Sequence, residues 1–253
     1  MTSTAPPTTD PGAEGPAPLD LAGIFPFPLD GFQLEAIDAL NQGHSVVVSA
    51  PTGSGKTLVG EYAIHRALAH GQKVFYTTPL KALSNQKLRD FRDQFGEQNV
   101  GLMTGDLSVN REASIVVMTT EIFRNMLYAE ADEHDDPLAD VEAVVLDECH
   151  YMNDSQRGTV WEESIIHCPP PVQLVALSAT VANAGQLTDW IEKVHGPTQL
   201  VISDHRPVPL QFSFCSAKGL HPLLNEQGTG LHPNCKVWRV PKGQKRKGRS
   251  PKP

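Results

Sequence analysis

Apolar residues along this chain come in short unbroken runs, each followed by a segment in which they recur every three or four positions. The runs are SVVVS (45–49), KVFYTT (73–78), SIVVMTT (114–120), AVVLDE (143–148), VQLVALSAT (172–180) and QLVIS (199–203). A strand with one solvated face alternates apolar and polar residues, whereas a run that is apolar at both parities must be covered on both faces. The pattern therefore predicts an α/β fold, a mainly parallel sheet with helices on both faces. Two helices have readable ends, one from about Lys56 to His70 with Gly71 as its cap and one from about Leu80 to Phe95 before Gly96. Glycine there takes the turn that closes a helix, and both helices are long enough for crossovers between parallel strands.

The same pattern sets the expected limits of order. Residues 1–22 are rich in Pro, Thr, Gly and Ala with little to bury, so they read as a disordered leader, with order beginning near Ile24. AEADEHDDPLAD (129–140) reads as an acidic surface loop rather than a metal cluster. Beyond about residue 216 periodicity fades. The expected organisation is a leader (1–22), one domain (23–215) and a basic, largely disordered tail (216–253), without internal repeats.

Composition narrows the class. The 253 residues are 40% hydrophobic, enough to bury a core, and no apolar run approaches the roughly 20 residues of a membrane span. The N-terminus lacks the basic start and apolar core of a signal peptide. Four widely spaced cysteines, Cys149, Cys168, Cys215 and Cys235, form no C-x-x-C pair, which argues against disulfides and a zinc site and for a reducing cytoplasm. The net charge of -8 hides an asymmetry: residues 236–253 carry eight Lys/Arg and no acid, leaving 13 basic against 29 acidic residues elsewhere. Only the tail offers a nonspecific attraction for phosphates.

Against this background, SAPTGSGKTLVG (49–60) stands out at a strand end and a helix start. Backbone N–H groups across Ala50, Pro51, Thr52, Gly53, Ser54, Gly55, Lys56 and Thr57 (Pro51 itself having none) can wrap a phosphate at the positive end of a helix. Lys56 can reach the outer phosphates and Thr57 can offer its hydroxyl to Mg²⁺; Ala50 stands where the P-loop pattern begins with Gly. Phosphoryl transfer also needs a metal carboxylate and a group that activates water. VVLDECH supplies Asp147 for the metal and Glu148 for the water, at the carboxyl edge of a core strand where parallel α/β folds place their sites. His150 has no metal-binding partner at helical spacing. In LSAT, the hydroxyls of Ser178 and Thr180, flanking Ala179, can bond to the Asp-Glu-x-His turn and report the state of the outer phosphate.

Taken in order, APTGSGKT (50–57), TPLKALSNQ (78–86), TTEIFRNML (119–127), DECH (147–150) and SAT (178–180) resemble the first RecA-like lobe of superfamily 2 DExH-box helicases. FPFPLDGFQLEAI and DECHYMNDSQRGTVWEESI resemble the superkiller-type RNA helicase branch, notably its bacterial and plastid members. The resemblance covers about residues 24–215 and implies a single RecA-like P-loop NTPase domain that uses ATP and Mg²⁺. It implies that Gln33 reads the adenine edge, with Phe25 or Phe32 packed nearby or serving the core. It places Pro79, Lys81, Gln86, Thr119, Thr120 and Glu121 on the backbone of single-stranded RNA, with DNA left open. His150 joins the catalytic motif on the same basis, and Arg157, Gly158, Trp161 and Glu162 fit the branch signature, Trp161 more as core.

Such helicases close a second lobe over the outer phosphate, and an arginine supplied in this way is worth about 10³ to 10⁵ in rate. The 40 or so residues after Phe214 are too few for that lobe, and Arg239, Arg246 and Arg249 lie where no strand pattern holds them. The expectation is an ATP-binding half whose hydrolysis is slow unless a partner chain supplies the rest. The alternative is a noncatalytic nucleotide- or RNA-binding fragment.

Overall fold

The computed structural model describes residues 19–128, 137–154, 158–216, 219–233 and 235. The leader before residue 19, the acidic stretch 129–136, Arg157 and the basic tail from 236 lie outside the described residues. The chain divides into two compact units, Met1–Arg206 and Pro207–Pro253.

In the first unit, order starts with a short helix α1 (Leu21–Ile24), capped by the Asp20 carboxylate, which accepts from the Ala22 amide at 3.1 Å. There follow α2 (Gly31–Asn41), β1 (Ser45–Ser49), α3 (Thr57–Ala69), β2 (Lys73–Thr78), α4 (Lys81–Phe95), β3 (Val100–Thr104), β4 (Leu107–Val109) and β5 (Ile115–Thr119). The unit continues through α5 (Thr120–Tyr128), β6 (Val141–Leu146), α6 (Gly158–His167), β7 (Gln173–Ser178), α7 (Ala184–Val194) and β8 (Thr198–Ile202). The strands form one eight-stranded sheet in the order β4-β3-β5-β2-β6-β7-β1-β8. Every pairing in it is parallel except that of β4, which runs antiparallel on the edge against β3.

Both faces of the sheet are covered, which is why its strands read as unbroken apolar runs. Val46, Val48, Val145 and Leu177 face a core built with α2, α3 and α4, whereas Val47, Val144, Leu146 and Ala176 face a core containing Phe123, Trp161, Ile165 and Ile191. Fully burying each such valine or leucine contributes about 1.5 to 3 kcal/mol. A single charge placed mid-strand, at Val47, Val144 or Val175, would meet apolar packing. Beneath α3, the buried Arg66 guanidinium ties the unit together by donating to the Glu142 carboxylate, the Leu40 carbonyl and the Gln173 amide oxygen.

Two strands of this sheet, β3 and β4, were not expected from the sequence. The second unit contains a two-stranded antiparallel hairpin, β9 (Ser213–Ser216) with β10 (Gly219–Pro222), so regular structure runs past residue 216, where periodicity fades. A bridge between Leu224 and Leu231 extends it.

Candidate active site

Three motifs meet at the carboxyl edge of the sheet because their strands are neighbours. The glycine loop leaves β1, the Ser-Ala-Thr turn leaves β7, and the Asp-Glu-Cys-His turn leaves β6, in the spatial order β6-β7-β1. With neighbouring strands about 4.8 Å apart, the loop and the acidic turn stand about 10 Å from each other. That gap suits a phosphate chain and a metal ion.

The loop is shaped by its own backbone. The Ala50 amide continues the β1 ladder by donating to the Ser178 carbonyl at 3.1 Å, and the Ser54 amide turns back to Pro51 at 3.2 Å. Gly53 and Gly55 both sit at φ +83°, a conformation that L side chains resist. At Gly55 an added Cβ would also come within 2.8 Å of Gln33 Nε2 and push that amide aside. The Leu58 amide then bonds to the Gly55 carbonyl at 3.1 Å and α3 begins, its amino end aimed at the loop.

Lys56 is only 6% exposed, and among the described residues its ammonium has neither an ion pair nor a hydrogen bond. The Ser54 hydroxyl is likewise buried without a partner. A lysine packed into the loop with its ammonium free of protein partners, beside a buried hydroxyl left unpaired, fits an anionic group in the loop.

Asp147 is 8% exposed and fixed at both oxygens. Oδ2 accepts from the Tyr76 hydroxyl at 2.9 Å and Oδ1 from the Glu148 amide at 2.9 Å. Burial, and then the Asp147 carboxylate, holds the Tyr76 phenol well above its ordinary range, so it remains a donor. Glu148 takes a left-handed backbone, φ 55°. Its Oε2 is buried without a hydrogen bond, although His150 Nδ1 lies 3.2 Å away as an ion-pair contact that carries charge only when the imidazole is protonated. The contact has the distance of a hydrogen bond but not its alignment.

The Ser-Ala-Thr turn differs from expectation. The Ser178 hydroxyl donates to the Ala179 carbonyl at 2.9 Å rather than to the acidic turn, and Thr180 is exposed. The link runs through the main chain instead: the Ala179 amide approaches His150 Nδ1 at 3.5 Å. His150 thus stands between the acidic turn and the Ser-Ala-Thr turn.

At the base end, Gln33 is buried with its amide engaged on both sides. Oε1 accepts from the Asp30 amide at 2.8 Å and Nε2 donates to the Gly55 carbonyl at 3.0 Å, which joins α2 to the glycine loop and leaves one N–H and one lone pair. Phe25 and Phe32 are both core residues. Phe27 is the aromatic of that string left exposed, at 53%, beside a groove formed with Leu21, Phe25, Leu29 and Leu34.

The residues expected to touch a nucleic acid strand gather at the next two strand ends, those of β2 and β5. Pro79 and Thr120 are buried, Thr119 and Glu121 half-buried, and Lys81 and Gln86 exposed. The Thr120 hydroxyl donates to the Thr78 carbonyl at 3.2 Å, and the Thr78 and Ser84 hydroxyls share a 2.7 Å bond, so the two turns are locked to each other. Lys81 is engaged by Asp106 from the β3–β4 turn. Its hydrogen bond is the main reason the Asp106 carboxyl is held below its usual range. Sequence reasoning missed Tyr76, Phe27 and Asp106. The exposed aromatic in FPF was the one available signal, because the other two act through contacts between distant strands.

The family model for DEAD/DEAH box helicases matches residues 30–187 of this chain. The chain belongs to this helicase family. It is 54% identical over 215 residues to the chloroplastic DExH-box ATP-dependent RNA helicase DExH15 of Arabidopsis thaliana, covering 84% of this chain and 18% of that protein. It is 56% identical over 186 residues to the probable helicase HelY of Mycobacterium tuberculosis, covering 74% of this chain and 20% of that protein. This helicase chain therefore spans about a fifth of the length of the curated relatives it matches. The crystal structure of the DUF1998 helicase MrfA bound to DNA and AMPPNP aligns over 71% of this chain and 27% of that one, with TM-score 0.59 and 21% identity, a likeness of fold. Among the described residues no helix is long and apolar enough to cross a membrane.

Proposed function

We propose that the chain is the ATP-binding lobe of an ATP-dependent RNA helicase and that it binds Mg-ATP and single-stranded nucleic acid. The observation that carries this reading is the buried, unpartnered Lys56 in a glycine loop facing the fixed carboxylate of Asp147. Lys56 and the loop amides would hold the phosphates, and Thr57 and Asp147 would hold Mg²⁺, which when bound offsets the charge that develops on the phosphates. The Glu148 carboxylate takes the proton of the attacking water. Phe27 supplies the face on which the base rests, and the unused N–H and lone pair of Gln33 meet its edge. Pro79, Lys81, Gln86, Thr119, Thr120 and Glu121 form the strand site through mainly backbone-directed contacts. Ala179 and His150 join the two sites, with Ser178 and Thr180 shaping the turn.

Turnover by this chain is slow until a second lobe, in the same protein or a partner chain, adds an arginine at the outer phosphate. The lobe comprises residues 23 to about 206, short of the 215 expected from the sequence because the hairpin of β9 and β10 belongs to the second unit, and the basic run 236–253 adds nonspecific attraction to RNA. Four free thiols support action in a reducing compartment such as the cytoplasm. The test is RNA-stimulated ATP hydrolysis by the purified chain beside Lys56→Ala and Glu148→Gln. Turnover above both controls supports an enzyme; turnover equal to them, with nucleotide still bound by the wild type, supports the noncatalytic reading.

A further inference from the structure

We infer that Tyr76 is the positioning residue of the metal carboxylate and that Lys87 couples it to the helix carrying the strand-binding residues. The inference rests on the reading of Asp147 as the metal ligand. Tyr76 lies on β2, the neighbour of β6, and its side chain crosses beneath the acidic turn to donate to Asp147 Oδ2 at 2.9 Å. Asp147 Oδ1 is already taken by the Glu148 amide, so the tyrosine bond is what prevents rotation of the carboxylate about its own axis. Outer partners of metal ligands act in this way, and their loss costs about 10- to 100-fold in metal affinity.

The ring of Tyr76 is itself held from the other side. It is fully buried and meets the Phe91 ring edge-on, with centroids 4.9 Å apart. Lys87 Nζ lies 5.3 Å from the centroid of Tyr76 and 5.5 Å from that of Phe91, within the range of a cation over an aromatic face. Phe91 and Lys87 both belong to α4, the helix that also carries Lys81 and Gln86. A phosphate backbone lying along α4 competes for the Lys87 ammonium, and the ring it releases is the one that fixes Asp147. This gives a contact path of two side chains from the strand site to the metal site, separate from the path through Ala179 and His150.

The experiment measures binding of a fluorescent ADP to the full chain while Mg²⁺ is titrated, and in parallel without Mg²⁺. Tyr76→Phe keeps the ring and removes only the donor. It is expected to raise the Mg²⁺ midpoint about 10- to 100-fold while leaving metal-free ADP affinity unchanged, which also shows that the loop remains folded. Lys87→Met is expected to raise the midpoint less and to abolish any shift caused by single-stranded RNA, and the double variant is expected to match Tyr76→Phe. Asp147→Asn is the control for the underlying reading: if it leaves the Mg²⁺ dependence intact, the metal assignment fails. If Asp147→Asn loses that dependence but Tyr76→Phe stays within about twofold of wild type, the positioning role is wrong. A double variant that adds the two single effects in full would show that Lys87 does not act through Tyr76.

Discussion

Replacing Gln33 with alanine tests whether the glycine loop is held from the base end. The change removes two hydrogen bonds, Asp30 amide to Gln33 Oε1 at 2.8 Å and Gln33 Nε2 to the Gly55 carbonyl at 3.0 Å. Neutral bonds of this kind contribute about 0.5 to 1.5 kcal/mol each, so their joint loss costs about 1 to 3 kcal/mol. Because each kcal/mol moves the melting temperature of a domain this large by about 2 to 4 °C, the nucleotide-free variant should melt about 2 to 12 °C lower. Thermal unfolding followed by circular dichroism without nucleotide measures this directly. The same variant should bind every nucleotide more weakly, since the Gly55 carbonyl is no longer anchored, and its preference for ATP over GTP should narrow. An unchanged melting temperature with only the base preference lost would refute the anchoring role.

Arg66→Met takes the guanidinium from the Glu142 carboxylate, which keeps only His70 Nδ1 at 2.8 Å, and from the Gln173 amide oxygen; breaking a buried pair in this way costs up to about 3 to 5 kcal/mol, and urea unfolding should show that loss with nucleotide affinity preserved in the folded fraction. Burial pushes the Cys149 and Cys168 thiols up to about 12, so near pH 8 both stay protonated and inaccessible in the native chain. A maleimide reagent should therefore label the exposed Cys215 and the half-buried Cys235 in the native chain, and all four cysteines only after denaturation.

The strands β1, β2, β5, β6, β7 and β8 were legible because burial on both faces forces continuous apolar runs, and the expected runs overlap them within a few residues. β3 and β4 were not. β3 is buried, but Gly101 and Thr104 interrupt its apolar run and Gly105 follows it directly, and β4 is an exposed edge of three residues that needs no apolar run at all. The glycine loop and the acidic pair could be read because their chemistry demands particular residue types at fixed spacing. The partners of those groups could not, since Tyr76 reaches Asp147 across 71 positions and Asp106 reaches Lys81 across 25, through a strand order that no local pattern encodes. The direction of the Ser178 hydroxyl is a local backbone outcome and was equally out of reach.

On the proposed function, the lysine of the glycine loop and the fixed aspartate across the sheet edge form one Mg-nucleotide site. Isothermal titration of the purified chain with ATP, with and without Mg²⁺, tests it most directly beside Lys56→Ala and Asp147→Asn. The expected result is one site per chain, at least about tenfold weaker in Lys56→Ala, and loss of the Mg²⁺ enhancement alone in Asp147→Asn. Binding that is equally tight in all three proteins, or absent from the wild type, would contradict it.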